Sequence, residues 1–137
     1  MGIESIPVVV KPDEATGLTG NAPAVLREIA ARLDSLARGG EGGVIDLGAM
    51  PLSPADKTWL AEQLGQGEVS IKLDLDGPSD VRETRYAGVW WLIHRNPNEV
   101  VTGEFIEITR IPELVMAHPD DIISGSESLN FLIDDLC

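Results

Sequence analysis

The stretch EVSIKLDLD, residues 68–76, decides the fold class because its apolar and polar residues alternate. Successive side chains on a strand point to opposite faces of a sheet, so a period of two predicts a half-buried strand. Three more segments are predicted as strands, at residues 81–86, 88–94 and 101–110. The turns between strands of similar length are short, which predicts an antiparallel meander.

Two helices are predicted before this sheet. Apolar residues recur at helical spacing after Asn21, so a first helix is expected with Asn21 as its N-cap and with its end at Gly39-Gly40. A second helix is predicted from Ser53 to about Leu64, with Leu60 and Leu64 facing inward. Ser53 is followed by proline and, three residues after the cap, by Asp56, which is typical of a capping box. Residues 44–47, between the helices, predict a short buried strand.

The segment after the sheet has a less regular pattern. Residues 112–118 predict a short helical turn that Pro119 is expected to stop. Residues 128–136 fit either a short amphipathic helix or a terminal tail, and residues 6–10 fit an edge strand.

The complete pattern predicts an α+β protein. Two N-terminal helices and a short strand are expected to pack on a mainly antiparallel sheet of four to five strands. We expect residues 1–20 to form a flexible lead-in and residues 21–137 to form one domain.

The composition fits a single acidic domain. The chain has 137 residues, of which 43% are hydrophobic, and 23 acidic side chains against 10 basic ones give a net charge of −13. Nucleic acids and anionic membranes attract clustered basic residues, so both are disfavoured as partners. The acidic residues either keep the protein soluble or meet a basic partner surface, and composition leaves both possibilities open.

The N-terminal sequence MGIESIPVVV lacks the basic region and the long apolar core of a signal peptide. No apolar run reaches the roughly 20 residues that a membrane span needs. The single cysteine, Cys137, cannot form an intramolecular disulfide. The protein is therefore expected in the cytoplasm, and an uncovered sheet edge would favour a homodimer.

Few side chains offer bond-making chemistry. The two histidines, His94 and His118, are far apart in sequence, and no nucleophile motif is present. No catalytic, cofactor-binding or metal-binding residue is therefore predicted, no cofactor is expected, and the protein is not expected to be an enzyme. Two alternatives stay open: an iron or iron–sulfur cluster carrier that uses carboxylates and Cys137, and an enzyme with a pocket that gathers His94 with Glu83 or Glu107. The acidic residues of the sheet are otherwise expected on its solvated face: Glu68, Glu83, Glu104 and Glu107.

The segment AGVWWLIH, residues 87–94, holds adjacent tryptophans on one predicted strand. Trp90 and Trp91 must point to opposite faces of the sheet, so one can fill the core while the other is either covered or exposed. Because tryptophan is enriched in binding hot spots, a partner-binding surface is predicted at Trp90 or Trp91, with Glu83 and Arg85 nearby. The alternative is that both indoles are packed, one on each face.

An ordered series of short motifs resembles the C-terminal region of the HupH/HyaF hydrogenase expression proteins. The motifs are GQGEVSI at residues 65–71, RET at 82–84, AGVWW at 87–91, IEI at 106–108 and IPE at 111–113. The resemblance covers roughly residues 45–115, and longer members of the family continue well beyond the length of this chain.

The resemblance implies an accessory role in the maturation of nickel–iron hydrogenases. Relatives are thought to chaperone the hydrogenase small subunit while its iron–sulfur clusters are inserted, before export with the large subunit. The partners it implies are a hydrogenase subunit precursor and other maturation proteins. The family supplies no catalytic residues to transfer to this sequence.

Overall fold

A computed structural model describes residues 16–136, so the edge strand expected at residues 6–10 lies outside the described residues. Three helices and five strands follow one another: α1 (Ala22–Ala37), β1 (Gly43–Asp46), α2 (Pro54–Leu64), β2 (Ser70–Leu75), β3 (Gly77–Glu83), β4 (Val89–Arg95), β5 (Val101–Ile108) and α3 (Pro119–Leu136). Short 3-10 turns lie at Leu47–Ala49 and Glu113–Val115. The predicted α+β class is confirmed.

The strands form one sheet in the order β1-β5-β4-β3-β2, and every neighbouring pair is antiparallel. Strands β2 to β5 follow one another directly, which confirms the predicted meander. The short N-terminal strand β1 pairs with β5 at the far edge, where Ile45 lies opposite Ile106. Local sequence gives no information on this placement because the two partners are about 60 residues apart in the chain.

Helices α1 and α2 cover one face of the sheet. The main core lies between this face and the two helices. This core contains ten buried residues: Val25, Ile29, Ile45, Leu47, Leu60, Leu64, Val89, Trp91, Ile106 and Ile108. The predicted inward positions Leu60 and Leu64 are both buried, as the helical spacing of leucines requires.

The start of α2 is held by the predicted capping box. The Ser53 hydroxyl accepts a hydrogen bond from the Asp56 amide, while the Asp56 carboxylate accepts one from the Ser53 amide. Asp56 also accepts hydrogen bonds from the backbone amide and the hydroxyl of Thr19. Residues just before α1 are therefore bound to the first turn of α2.

Asn21 precedes α1, but its side chain does not cap the helix, so this prediction is wrong. Its backbone is already in the helical region, and its side chain makes no capping hydrogen bond. The side-chain amide instead donates to the carbonyl of Pro51, 2.8 Å away. Asn21 therefore links the entrance of α1 to the segment before α2, a long-range contact that local sequence does not reveal.

The turn between β2 and β3 is tighter than predicted. A turn over residues 76–79 was expected, but β3 begins at Gly77, which lies opposite Leu75 in the strand register. Gly77 has a φ of 122°, which L residues rarely adopt, and a β-carbon there would lie 2.2 Å from the carbonyl oxygen of Arg95. The missing side chain permits both the tight reversal and the close passage of the next loop. Pro78 is tolerated because pairing with β4 begins only at Ser79.

Gly77→Ala is expected to lower the free energy of unfolding by roughly 2 kcal/mol, since it combines backbone strain with a steric clash. Gly125→Ala is the matched control, because a β-carbon at Gly125 meets nothing within 4 Å. Urea denaturation followed by circular dichroism measures both variants. Equal stability of the two alanine variants would contradict the proposed constraint at Gly77.

The C-terminal helix is longer than predicted and begins where a stop was expected. Pro119 was expected to end a helical turn, yet it is the first residue of the 18-residue helix α3. Proline suits the first turn of a helix because the amide it lacks would have no intrahelical acceptor there. The serine- and glycine-containing segment 124–128 lies within this helix. None of the described residues of α3 is buried.

Candidate partner-binding surface

Trp91 lies on the sheet face that the helices cover. Its side chain is 2% exposed and belongs to the main core. The indole Nε1 donates to Glu104 Oε2 at 2.9 Å, and the Arg82 guanidinium lies 5.5 Å from the ring centroid. Trp91 is therefore packed and hydrogen-bonded, with no free indole face.

Trp90 points to the opposite face, as the alternation along β4 requires. It is 5% exposed and forms a second cluster with Val81 and Leu92, against which Val115 also packs. Its Nε1 donates to the carbonyl of Thr109 at 3.1 Å. The chain that follows β5 therefore crosses this second face and helps to cover it. Of the two possibilities for the tryptophan pair, the structure has both indoles packed.

Glu83 and Arg85 border a shallow depression at the end of β3. Its other lining residues come from the loop before β2 and from the turn before β4: Gln66, Gly67, Glu68, Thr84 and Ala87. Glu83 lies directly opposite Trp90 in the strand register, but the indole is not among the residues that line the depression. Arg85 is exposed and Glu83 is half-buried, so these two side chains are the part of the predicted surface that solvent reaches. The partner-binding role of all four residues stays a prediction.

His94 is not gathered with Glu83 or Glu107. Glu83 and Glu107 both lie opposite Trp90 in the register, whereas His94 is four residues further along β4, roughly 13 Å away. His94 Nδ1 is 2.9 Å from the Ser79 hydroxyl, and its ring is tilted against Phe105. The geometry therefore does not form the pocket that the enzyme alternative requires at these residues.

Glu104 and Glu107 are less solvated than predicted. Glu104 lies on the helix-covered face, where it accepts from Trp91 and forms an ion pair with Lys57 Nζ at 3.3 Å. Its side chain is only 15% exposed, which corrects the expectation of a solvated residue. The pKa of Glu107 lies above its ordinary value, mainly because the carboxyl group is partly buried. The hydrogen bond from the Glu113 backbone amide lowers this pKa, and the negative charge of Glu113 raises it. Glu68 is exposed, as predicted.

Other chemical groups in the described part of the chain are internally paired. Every buried side-chain nitrogen or oxygen among residues 16–136 has a hydrogen-bond partner. Within the same range, no three His, Cys, Asp or Glu residues come together as a possible metal site. Cys137, named in the carrier alternative, lies outside the described residues. None of the helices in this range combines the length and the apolar character needed to cross a membrane.

Exposed apolar side chains are concentrated on α3. Of the sixteen large apolar side chains that are exposed among the described residues, seven lie on this helix: Ile122, Ile123, Leu129, Phe131, Leu132, Ile133 and Leu136. Phe131 is 79% exposed and Leu136 is 75% exposed. Four of the seven, Ile122, Leu129, Ile133 and Leu136, share one side of the helix by their spacing. Exposed apolar surface of this kind marks an interaction site, so α3 is a binding candidate that the sequence pattern did not indicate.

Comparison with known proteins places this fold and its C-terminal helix in one family. Residues 19–136 match the family described as HupH hydrogenase expression protein, C-terminal conserved region. The chain belongs to the HupH family. The match includes α1 and α3 and so extends beyond the region 45–115 that the motifs indicated.

A solved structure and several named relatives agree with this assignment. The chain is 46% identical to the hydrogenase expression protein HupH from Thiobacillus denitrificans, with a TM-score of 0.82 over 86% of this chain and 98% of that one. It is 33% identical to the hydrogenase expression/formation protein HoxQ of Cupriavidus necator, over 80% of this chain and 39% of the relative. It is 32% identical to the hydrogenase-1 operon protein HyaF of Escherichia coli, over 63% of this chain and 30% of the relative. The chain thus spans about two fifths of the length of HoxQ.

Proposed function

We propose that this protein is a non-catalytic accessory factor for nickel–iron hydrogenase maturation that binds a hydrogenase subunit precursor in the cytoplasm. The small-subunit precursor is the favoured partner, and other maturation proteins are further candidates. Membership of the HupH family supports the pathway, because its relatives are named hydrogenase expression or formation proteins.

The observation that carries the binding mode is the exposed apolar surface of α3. A subunit that awaits its cofactors exposes surface that later becomes buried, and an accessory protein can cover such surface with its own apolar side chains. The depression beside Glu83 and Arg85 offers a polar contact region in addition. Binding through these surfaces requires no bond-making chemistry from the residues that they contain.

The pathway is tested by deletion of the gene in its own organism. We expect lower hydrogenase activity and accumulation of an unprocessed subunit precursor, both restored by the wild-type gene on a plasmid. Immunoblots of the small and large subunits show which precursor accumulates. Normal hydrogenase activity and normal processing in the deletion strain would contradict the proposed role.

The double variant Glu83→Ala/Arg85→Ala tests the predicted surface without disturbing the core. We expect its affinity for the small-subunit precursor to fall by roughly fivefold, the loss of about 1 kcal/mol that a contributing interface contact produces. Titration calorimetry with the purified precursor measures this change. Asp34→Ala/Arg38→Ala is the matched control, since it removes an exposed acid–arginine pair at the C-terminal end of α1. Equal affinities of the two variants would exclude the Glu83–Arg85 surface.

Truncating the tryptophans would not test this surface. Both indoles are buried and hydrogen-bonded, so their removal would destabilise the sheet and lower binding for an indirect reason.

A further inference from the structure

Helix α3 is poorly supported by its own domain. Within the described part of the chain it makes no extended contact with another helix or strand, and none of its described residues is buried. An 18-residue helix without tertiary packing is marginal in water, and Gly125 with its neighbouring serines lowers the helix propensity further. A further surface is therefore expected to pack against α3 and stabilise it.

The apolar residues of α3 follow the heptad spacing of a coiled coil. Spacings of seven, four and three residues separate the members of one series: Ile122, Leu129, Ile133 and Leu136. Ser126 completes the alternation of four and three, so that Ser126 and Ile133 take the a positions of the repeat and the other three take the d positions. We call these five residues the seam of α3, since residues at a and d face the partner helix when two helices pair.

The carboxylates of α3 lie away from the seam. All five occupy the b and c positions of the repeat, which face solvent when two helices pair: Asp120, Asp121, Glu127, Asp134 and Asp135. The e and g positions, which border the seam, carry no charge: Ile123, Gly125, Asn130 and Leu132. Pairing of two copies therefore buries no carboxylate. Helix axes lie about 8–10 Å apart, so charges on the outer sides of such a pair are separated by more than the screening length of about 8 Å.

The seam matches a second copy of itself in the antiparallel direction. In that orientation an a residue of one helix meets a d residue of the other, so Ser126 lies opposite Leu129 and Ile122 lies opposite Ile133 of the second copy. A small residue then faces a large one in the middle of the seam. Parallel pairing would place Ser126 against its own counterpart and leave a gap there. The match is reciprocal, as a two-fold interface requires.

The apolar area along the seam is large enough for a specific dimer. Five leucine and isoleucine side chains on or beside the seam are 46–75% exposed: Ile122, Leu129, Leu132, Ile133 and Leu136. At roughly 100 Å² for each such side chain, two copies together would bury about 1,000 Å², which reaches the area expected of a specific interface.

We propose that a second copy of this chain covers the seam of α3, so that two α3 helices pair in the antiparallel direction in a homodimer of the free protein. This inference goes beyond the proposed function and does not depend on it. Pairing buries only one side of each helix. It leaves Phe131, which is 79% exposed, on the outer side, where a subunit precursor can still contact it.

The single variants Leu129→Ser and Phe131→Ser separate the seam from the outer side of the same helix. Both side chains are exposed, at 59% and 79%, so the fold is expected to remain intact, which circular dichroism verifies. Because a dimer loses the leucine from both copies, we expect Leu129→Ser to weaken dimerisation at least roughly tenfold and Phe131→Ser to leave it unchanged. Sedimentation velocity of the purified full chain over micromolar concentrations measures the dissociation constant of each dimer.

Disulfide cross-linking tests the direction of the pair. Two variants, Ile122→Cys and Ile133→Cys, are prepared separately in a Cys137→Ser background and then mixed and oxidised. We expect a cross-linked dimer in the mixture and little in either variant alone. The two positions face each other only in the antiparallel pair, whereas 11 residues of helix separate them by roughly 16 Å along the axis. Cross-linking of each variant with itself as readily as in the mixture would overturn the antiparallel pair.

Three other results would overturn the inference. The first is a wild-type chain that stays monomeric at about 100 µM. The second is equal dissociation constants for wild type and Leu129→Ser, which would place the dimer contact elsewhere, for example at the free edge of β2. The third is equal weakening by both serine variants, which would indicate general apolar association. None of these measurements contains a subunit precursor, so their failure leaves the proposed function standing, and failure to bind a precursor leaves the dimer standing.

Discussion

Trp91→Ala is expected to lower the free energy of unfolding by about 3–5 kcal/mol, the usual cost of removing a buried tryptophan. The indole lies between the sheet and the helices, 2% exposed, and packs in the core with Ile106 and the buried leucines of α2. Its loss would leave a cavity in the centre of the domain. It would also deprive Glu104 of the N–H donor that the indole supplies. Urea denaturation followed by far-ultraviolet circular dichroism measures this change without relying on tryptophan fluorescence.

Trp91→Phe separates packing from hydrogen bonding. Phenylalanine retains much of the buried ring but cannot donate to Glu104, so a smaller loss of about 1–2 kcal/mol is expected. A comparison with Tyr86→Ala provides an exposed aromatic control, since Tyr86 is 45% exposed. An alanine variant at position 91 that is as stable as the phenylalanine variant would contradict the packing contribution, and one as stable as wild type would show that the core does not depend on this side chain.

The sheet meander could be predicted because each strand carries its own local signal. Alternation in residues 68–76 places Ile71 and Leu73 on one face, and the structure has them with Val81 on the second face of the sheet. The adjacent Trp90 and Trp91 had to point in opposite directions for the same reason. Periodicity therefore fixes which residues share a face. It does not tell which face the helices cover, because that depends on contacts between distant segments.

The C-terminal helix could not be delimited because its local signals conflict. Pro119 fits both the end of one element and the first turn of another, and Gly125 with its neighbouring serines is unfavourable inside a helix. The apolar spacing of Ile122, Leu129 and Ile133 is the signal that would have predicted a longer helix. The tryptophan pair, which sequence alone favours as a binding surface, is buried in the structure.

The sequence pattern also does not reveal which carboxylates are buried by contacts between distant segments. Alternation assigned Glu104 to a solvated face, but that part of the face is covered by α2, whose Lys57 pairs with the carboxylate. Asp56 was recognised as a local capping residue, and this is confirmed. Its contact with Thr19 spans 37 positions and could not be inferred from local sequence.

Asp56→Asn is expected to lower the free energy of unfolding by about 2–3 kcal/mol near neutral pH, since a buried charge-assisted network loses its acceptor. The fully buried carboxylate accepts from the Thr19 amide on one oxygen, and from the Thr19 hydroxyl and the Ser53 amide on the other. An asparagine amide group would replace one of these oxygens by a donor. The capping box and the tie between Thr19 and α2 would weaken together.

The pH dependence of this effect follows from the pKa of Asp56. Burial alone would raise the pKa, but the hydrogen bonds from Thr19 and Ser53 outweigh it and hold the pKa below the ordinary value of 3.8. A group with a lowered folded pKa stabilises the protein above its unfolded pKa, and this contribution is lost as the pH falls through the folded value. The difference between wild type and Asp56→Asn should therefore be largest from neutral pH down to about pH 5 and should shrink in more acidic solution.

Urea midpoints measured from about pH 7 to about pH 3 test both the size and the pH dependence of this difference. Asp74→Asn serves as the control, because Asp74 is exposed on β2 and its loss should change stability by no more than about 0.5 kcal/mol. A stability difference for Asp56→Asn that stays constant into acid would show that the variant acts through packing alone. A difference that declines below pH 4 would instead identify the ionised carboxylate as the group that joins Thr19 to the start of α2.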